Sequence, residues 1–222
     1  MQIAIDGPAG AGKSTIAKIL AAKSGYIYVD TGAMYRAMAL YLIRRGIKAD
    51  DKSGIESACE DADISIKFID GEQKVILNGE DVNSLIRTQE VSNMASASSV
   101  NAKVRKKLVS LQQKLAEGSD VVMDGRDIGT KVLPDAEVKI FLTADTKVRA
   151  KRRYDELKEK GEECDPEAIE KEIIERDHRD MTREISPLVQ AEDAVLVDTS
   201  DMDIDEVVST IQSLISQRMS QV

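Results

Sequence analysis

Nine residues near the start of the chain have the types and spacing of a phosphate-binding loop. They run Gly-Pro-Ala-Gly-Ala-Gly-Lys-Ser-Thr, with the lysine directly after the last glycine. Backbone N–H groups of such a loop cradle phosphate oxygens, and the helix that follows adds partial positive charge. The lysine can reach the β- and γ-phosphates, and the serine hydroxyl can ligate Mg²⁺. The residues predicted to bind a nucleoside triphosphate are Gly7, Pro8, Ala9, Gly10, Ala11, Gly12, Lys13, Ser14 and Thr15.

The segments on either side of this loop match its structural requirements. The apolar run Ile3–Ile5 precedes it as a short strand, and the amphipathic stretch Ile16–Leu20 follows it as a helix. A chance glycine-rich turn before a helix is the alternative interpretation. The match in both spacing and context favours a P-loop, which requires strand, loop and helix in that order.

A carboxylate follows a second apolar run. Asp124 comes directly after Val121–Met123, the position of a Walker-B-like aspartate that holds Mg²⁺ beside the P-loop serine. Direct ligation and ligation through water both remain open. Ser14 and Asp124 are therefore the predicted metal ligands.

Several arginines indicate what happens to the triphosphate. Transfer of phosphate between two anions requires positive charge on both, because their mutual repulsion must be screened. Arginine contacts phosphate oxygens through two hydrogen bonds and is always charged. For any one arginine, a solvated ion pair is an equally good explanation, but a P-loop favours function for the set. The candidates are Arg36, Arg126, Arg176, Arg179 and Arg183, the last three at i, i+3 and i+7 of one predicted helix, where Asp180 can orient Arg176.

Short apolar runs alternate with helical segments along most of the chain. Because they read as buried on both faces, they predict an α/β fold with a five-stranded parallel sheet flanked by helices. Ligands gather at the carboxyl ends of such strands. The runs are residues 3–5, 26–29, 121–123, 138–142 and 194–197. The segments expected on one rim are the P-loop, Asp30-Thr31, Asp124–Asp127 and Asp198-Thr199.

Helix signals separate these strands. Asn101–Glu117 has apolar residues at helical spacing, and Asp145 and Asp165 are predicted to cap later helices. The other predicted helices are residues 14–23, 33–45 and a segment near the carboxyl terminus with apolar positions 207, 208, 211, 214 and 215.

Residues 64–82 break the alternation. Two alternating apolar runs are separated by Asp70-Gly71 and followed by Asn78-Gly79, both turn signals. This pattern predicts an antiparallel meander inserted into the α/β chain.

Composition limits the partners and the compartment. The 222 residues have a formal net charge of −9, no Trp and two Phe, so binding to nucleic acid is disfavoured. Cys59 and Cys164 lack metal-ligand spacing and are expected to be ordinary thiols of a reducing compartment. No apolar stretch approaches the length of a membrane span. We expect a cytoplasmic protein, a monomer, without nucleic-acid or membrane partners.

Several motifs together make the chain resemble the bacterial cytidylate kinases over its whole length. The P-loop alone is shared by many kinases, whereas the other motifs are far more specific. They are Asp30–Arg36 (Asp-Thr-Gly-Ala-Met-Tyr-Arg), Ile86–Val91 (Ile-Arg-Thr-Gln-Glu-Val), Asp124–Thr130 (Asp-Gly-Arg-Asp-Ile-Gly-Thr), Val138–Leu142 and Glu175–Asp180 (Glu-Arg-Asp-His-Arg-Asp).

The resemblance implies an activity and a domain organisation. The implied reaction transfers the γ-phosphate of ATP directly to CMP or dCMP, giving ADP and CDP or dCDP, with Mg²⁺. A single P-loop kinase domain, 1–222, would contain a monophosphate-binding insertion at 60–95 and a lid at 148–186. The ratio of activity on CMP, dCMP and UMP is left open.

The resemblance also implies residue roles. Lys13, Arg126, Arg176 and Arg183 would be catalytic. The lid that closes over ATP would include Arg176 and basic residues near Arg153. The implied acceptor-binding residues are Thr31, Arg36 and Arg126 for the monophosphate, Ser96, Arg105 and Asp127 for the cytosine, and Asp180 and Arg183 for the sugar and phosphate region.

The departures from the family pattern are small. The Lys13-Ser14 pair replaces the Lys-Gly of many relatives, which strengthens the Mg²⁺ assignment. Thr31 replaces a serine and retains the hydroxyl. The only histidine, His178, is expected to be a solvated helix residue, because a phosphate acceptor that is already ionised needs no base.

Two other functions were weighed. A small P-loop kinase acting on another monophosphate or metabolite would share the same donor loop. A P-loop switch would require a guanine-binding Asn-Lys-x-Asp signature after a late strand, where this chain has Thr143–Asp145.

Overall fold

A computed structural model describes residues 1–69 and 72–220. The strands, in chain order, are β1 (Gln2–Asp6), β2 (Ile27–Asp30), β3 (Ile64–Ile69), β4 (Glu72–Leu77), β5 (Glu80–Asp81), β6 (Val121–Gly125), β7 (Val138–Thr143) and β8 (Val195–Asp198). The α-helices are α1 (Lys13–Ser24), α2 (Thr31–Arg44), α3 (Lys52–Ala58), α4 (Gln89–Ser98), α5 (Ala102–Ala116), α6 (Thr146–Glu159), α7 (Pro166–Thr182) and α8 (Ile204–Met219). The chain forms two compact units: unit 1 is Met1–Tyr28 with the chain from Ser119 onward, and unit 2 is Val29–Gly118.

The larger sheet has the strand order β2-β6-β1-β7-β8. β1 pairs in parallel with β6 and with β7, so that Asp6 at its end lies beside Gly125 and Phe141. β7 pairs in parallel with β8, where Thr143 lies beside Asp198. The predicted five-stranded parallel sheet is confirmed. Parallel pairing brings the ends of β1, β6, β7 and β8 to one edge, so the part of the predicted rim in unit 1 is confirmed too.

The core of unit 1 lies between this sheet and two helices. Ile5 and Ile140 of the central strands pack in one buried cluster with Leu20 of α1 and Val208 of α8. The first three are 0–1% exposed and Val208 is fully buried. Burial of side chains of this size contributes about 1.5–3 kcal/mol each, which fixes the strand ends that carry the loops.

One expectation about the sheet is wrong. The apolar run at 194–197 was expected to be buried on both faces, but Leu196 in β8 is 54% exposed and only Val197 is buried. The reason is topological: β8 is the last strand of the sheet, so it is covered less completely than the central strands.

Unit 2 combines helices with the predicted antiparallel meander. Its sheet has the order β3-β4-β5, with Ile64 opposite Leu77 and Ile76 opposite Asp81. The Asn78-Gly79 turn has positive φ at both residues, as a tight hairpin turn requires. The predicted turn at Asp70-Gly71 lies outside the described residues. The core joins this sheet to α2 and to α5, and includes Met34, Met38, Leu77 and Leu108.

Capping side chains set the helix boundaries. Asp145 and Asp165 accept hydrogen bonds from backbone N–H groups at the starts of α6 and α7, as predicted. Asn101 caps α5 in the same way, although no cap was predicted there. α2 begins at Thr31, two residues earlier than expected, because the Asp30 carboxylate accepts a hydrogen bond from Ala33 N.

Two composition-based expectations can be compared with the structure. Cys59 is buried, Cys164 is half-buried, and both are free thiols, as predicted. Within residues 1–69 and 72–220, no helix has the length and hydropathy to cross a membrane.

We predict that Gly7→Ala destabilises the protein strongly. Gly7 has φ +148°, and a Cβ there would lie 1.9 Å from the carbonyl oxygen of Leu142, so the backbone of β7 would have to move. Gly25→Ala is the matched control, because Gly25 also has positive φ (71°) but a Cβ would meet open space. Chemical denaturation should show Gly7→Ala to be less stable than Gly25→Ala by at least about 2 kcal/mol. Equal losses of stability in the two variants would show that the backbone of β7 can move aside at no cost in free energy.

Candidate active site

The P-loop connects β1 to α1 through three glycines with positive φ, Gly7, Gly10 and Gly12. Lys13 at the start of α1 is buried, and its Nζ donates a hydrogen bond to the Pro8 carbonyl oxygen at 2.6 Å. Burial lowers the pKa of Lys13 well below its ordinary value, and neighbouring Arg126 lowers this pKa further, while Asp124 opposes both. An anion bound in the loop would favour the charged ammonium.

The two predicted metal ligands lie together. Ser14 Oγ donates to Asp124 Oδ2 at 2.8 Å, and Tyr28 Oη donates to the other carboxylate oxygen at 2.9 Å. No group of three or more His, Cys, Asp or Glu side chains suited to a metal occurs among the described residues. Mg²⁺ takes few protein ligands in nucleotide sites and prefers oxygen, so a hydroxyl beside a carboxylate fits it. The residues therefore fit Mg²⁺ through Ser14 and Asp124.

Three of the predicted site residues form a buried charge cluster. Arg126 Nε donates to Asp180 Oδ2 at 2.9 Å. Arg183 Nη1 lies 3.6 Å from Asp180 Oδ1, and Arg183 Nη2 lies 3.7 Å from Asp127 Oδ1. Burial lowers the pKa of Arg126, but the charge and hydrogen bond of Asp180, together with the charges of Asp177 and Asp124, raise it overall. Burial raises the pKa of Asp180. The positive charges of Arg126, Arg176 and Arg183 lower it by more, so it lies below its ordinary value.

The arginines of α7 do not share one face as the spacing suggested. Arg183 caps the end of α7 in an extended conformation and is buried, while Arg179 is exposed in the last turn. Arg176 is half-buried and interacts electrostatically with Lys13 and Asp180. The helix ends at Thr182, so the i+7 relation no longer applies and Arg183 reaches the cluster from outside the helix.

Two further residues of the predicted lid, Arg153 and His178, lie at the helix surface. Arg153 of α6 pairs with Glu156 at 2.9 Å, and both side chains are more than 40% exposed. His178 is exposed, as predicted. The role of Arg153 stays a prediction.

Two buried side chains bond to the backbone of the P-loop residue Ala9, a contact that we call the clamp on Ala9 and that was not predicted from the sequence. Asp177 Oδ1 accepts a hydrogen bond from Ala9 N at 3.0 Å, and Arg149 Nη1 donates to Ala9 O at 2.8 Å. Arg149 and Asp177 form an ion pair with each other, and both are buried. The available signal was the position of Asp177 inside the Arg-Asp-His-Arg-Asp motif, but nothing in the sequence pairs it with Arg149.

Asp6, directly before the P-loop, is a second residue that was missed. Its carboxylate accepts hydrogen bonds from Ile128 N at 2.8 Å and from Gly129 N at 2.7 Å. It thereby ties the P-loop strand to the loop that carries Arg126 and Asp127. Burial raises the pKa of Asp6 to about 6, although the two backbone hydrogen bonds oppose the shift.

In unit 2, Thr31 and the guanidinium of Arg36 both lie at the first turn of α2. Thr31 is 3% exposed, and a Cβ placed on Gly32 would lie 3.5 Å from Arg36 Nη1. The guanidinium of Arg36 therefore lies against the helix N-terminus, where backbone N–H groups favour anions.

Two of the three residues expected to bind the base, Ser96 and Arg105, are buried in unit 2. Arg105 donates to the Ser99 carbonyl oxygen at 3.2 Å and lies over the Tyr35 ring, 5.6 Å from its centre. Ser96 Oγ is buried and has no hydrogen-bond partner among the described residues. A buried hydroxyl without a partner costs free energy that a polar ligand would recover.

Residues 3–217 match the model of the cytidylate kinase family. The chain belongs to this family. It is 51% identical to the cytidylate kinase of Ligilactobacillus salivarius, over 98% of this chain and 97% of that protein. It is 54% identical to the cytidylate kinase of Caldicellulosiruptor saccharolyticus, over 96% and 95% of the two chains. The prediction of a cytidylate kinase, a nucleoside monophosphate kinase, is confirmed.

The fold has more distant relatives. A shikimate kinase from Bacteroides thetaiotaomicron covers 97% of this chain and 98% of its own, with 13% identity and a TM-score of 0.52. This likeness shows the α/β fold alone. The domain boundaries, the individual residue roles, the oligomeric state and the cytoplasmic location stay predictions.

We predict that Asp6 makes stability depend on pH between about 4 and 6. An aspartate in an unfolded chain titrates near 4, whereas folded Asp6 titrates at about 6. Between these values the folded protein binds the extra proton, so stability falls as pH rises. The loss is at most about 3 kcal/mol and levels off above the folded pKa of about 6.

The non-titrating variant Asp6→Asn isolates this contribution. Other groups titrate alike in both proteins, so the unfolding free energy of wild type minus that of Asp6→Asn should fall from pH 4 to pH 6.5. Denaturant melts at several pH values measure it. A constant difference across this range would contradict the raised pKa.

Proposed function

We propose that the chain transfers the γ-phosphate of ATP to CMP or dCMP by direct in-line displacement. The observation that carries the proposal is the buried cluster of Arg126, Asp180 and Arg183 in the same unit as the P-loop lysine. A protein that only binds or hydrolyses a triphosphate has no need of a second set of buried arginines. A kinase that brings two anions together does need them.

The donor side is assigned to the P-loop. Its backbone N–H groups and Lys13 bind the β- and γ-phosphates, and Arg176 with Arg153 belongs to the lid segment over ATP. Ser14 and Asp124 would hold Mg²⁺, which supplies charge neutralisation on the phosphate oxygens when bound. The hydrogen bond between Ser14 and Asp124 keeps both ligand oxygens in place beforehand.

The acceptor side is assigned residue by residue. In unit 2, Thr31 and Arg36 bind the monophosphate, and Ser96 and Arg105 bind the cytosine. In unit 1, Arg126 contacts the monophosphate, Asp127 the base, and Asp180 with Arg183 the sugar and phosphate region. Hydrogen bonds from such buried groups can reject a mismatched base by several kcal/mol.

Catalysis then consists of positioning and charge stabilisation. Lys13, Arg126, Arg176 and Arg183 stabilise the charge that spreads over the transferred group. Asp180 keeps Arg126 and Arg183 oriented before substrates bind. No side chain must remove a proton, because a monophosphate near neutral pH is already ionised.

The acceptor preference is tested by a coupled assay of ADP release. We expect robust turnover with CMP and dCMP, and much weaker turnover with UMP, AMP, GMP and dTMP, because the base contacts are hydrogen bonds specific to cytosine. Reactions lacking each acceptor serve as controls for ATP hydrolysis. Robust turnover of another base together with none of CMP would overturn the acceptor assignment.

We expect Lys13→Ala to abolish measurable transfer while the fold survives. Loss of one transition-state cation in phosphoryl transfer costs about a thousandfold or more in rate. The matched control is Lys23→Ala, an equal change at an exposed position of the same helix. Steady-state kinetics and thermal melts of both variants provide the measurement. Normal activity in Lys13→Ala would refute the donor-site assignment.

A further inference from the structure

The side chain of Gln73 makes two hydrogen bonds to the backbone of one distant residue. Its Oε1 accepts from Asp30 N at 2.8 Å, and its Nε2 donates to Asp30 O at 3.3 Å. An amide carries one donor and one acceptor side by side, so it can pair with a residue's N–H and C=O as a neighbouring strand would. Gln73 belongs to β4 of the antiparallel sheet, which lies in the predicted monophosphate-binding insertion but has had no role assigned to any single residue.

Asp30 is held at every polar atom. Besides the two bonds to Gln73, its Oδ1 accepts from Ala33 N at 2.9 Å and its Oδ2 lies 3.4 Å from Arg87 Nη2. Asp30 is only 7% exposed. A residue bonded in this way has a fixed peptide orientation on both sides.

This fixed residue immediately precedes the corner of Thr31, Gly32 and Arg36. A Cβ on Gly32 would lie 3.2 Å from Asp30 Oδ1 and 3.5 Å from Arg36 Nη1, so the three groups are packed closely. The direction of the first N–H groups of α2 depends on the peptide of Asp30. A small rotation of that peptide would therefore turn the first N–H groups of α2 away from their present direction. It would also change the space available to the Arg36 guanidinium.

We propose that Gln73 is a positioning residue for the acceptor monophosphate, acting through the backbone of Asp30 on the corner of Thr31, Gly32 and Arg36. The inference rests on the proposed function, in which Thr31 and Arg36 bind that phosphate. It gives the antiparallel sheet a specific task, which is to supply the amide that fixes the start of α2. A purely structural contact would weaken every ligand of the unit alike, whereas a positioning contact weakens the phosphate contribution.

The test compares binding of CMP with binding of cytidine, which has the same base and sugar without the phosphate. In Gln73→Met the side chain keeps its length and loses both hydrogen bonds. We expect the affinity for CMP to fall about tenfold, as the loss of two such bonds suggests. Cytidine affinity and KM for ATP should stay within about twofold, so the ratio of the two affinities falls. Calorimetry gives CMP affinity, and competition against CMP gives that of cytidine.

Two further variants complete the design. Lys67→Met is the matched control, because it makes a polar-to-apolar change at an exposed position of the same sheet. It should leave the affinity ratio unchanged. Gln73→Glu keeps the acceptor for Asp30 N and loses the donor to Asp30 O, so it should lower the same ratio even if Gln73→Met folds poorly.

The outcomes separate this inference from the proposed function. Equal weakening of CMP and cytidine, or an unchanged ratio in both Gln73 variants, overturns the positioning role. Arg36→Met tells which idea has failed. If Arg36→Met alone lowers the ratio, the inference fails and the phosphate-binding role stands; if neither position affects it, both fail.

Discussion

Arginine and lysine side chains that are placed together to bind an anion repel one another when no anion is bound. In unit 1, buried carboxylates offset this repulsion. Arg126 and Arg183 share Asp180, and Arg183 also lies near Asp127. Burial lowers the pKa of Lys13, the nearby charge of Arg126 lowers it further, and Asp124 acts in the opposite sense. Removing one member of such a buried set leaves an uncompensated charge, which costs several kcal/mol. The positions of the loops after β1 and β6 and of the end of α7 are therefore mutually dependent.

Local sequence signals predicted the elements and the residues that follow strands. The glycines of the P-loop, the alternation around residues 64–82 and the caps at Asp145 and Asp165 act within a few residues, so they can be recognised in one sequence. The pairing of Ser14 with Asp124 was also predictable, because parallel strands end at one edge. The exposure of β8 was not predictable in this way, since an apolar run does not show that its strand lies at the edge of the sheet.

The contacts that were missed join residues far apart in the chain. Ala9 and Asp177 are 168 positions apart, Asp6 and Ile128 are 122 apart, and Asp30 and Gln73 are 43 apart. Each contact involves a backbone N–H or C=O group. Almost every residue has both groups, so residue types and spacing do not show which of them will be bonded. Arg183 was misplaced for a related reason: helical periodicity does not show that α7 ends at Thr182.

The clamp on Ala9 limits where the predicted lid, residues 148–186, could bend. Arg149 in the first turn of α6 and Asp177 in the last third of α7 both bond to the backbone of the same P-loop residue, Ala9. Any swing that preserves these bonds must have its hinges within residues 150–176. A closing movement of the predicted lid that keeps these bonds would leave the bases of both helices fixed to the P-loop and would move only the helix ends around Gly161. The moving part of the predicted lid would then be the tip of a helical hairpin rather than the whole of residues 148–186.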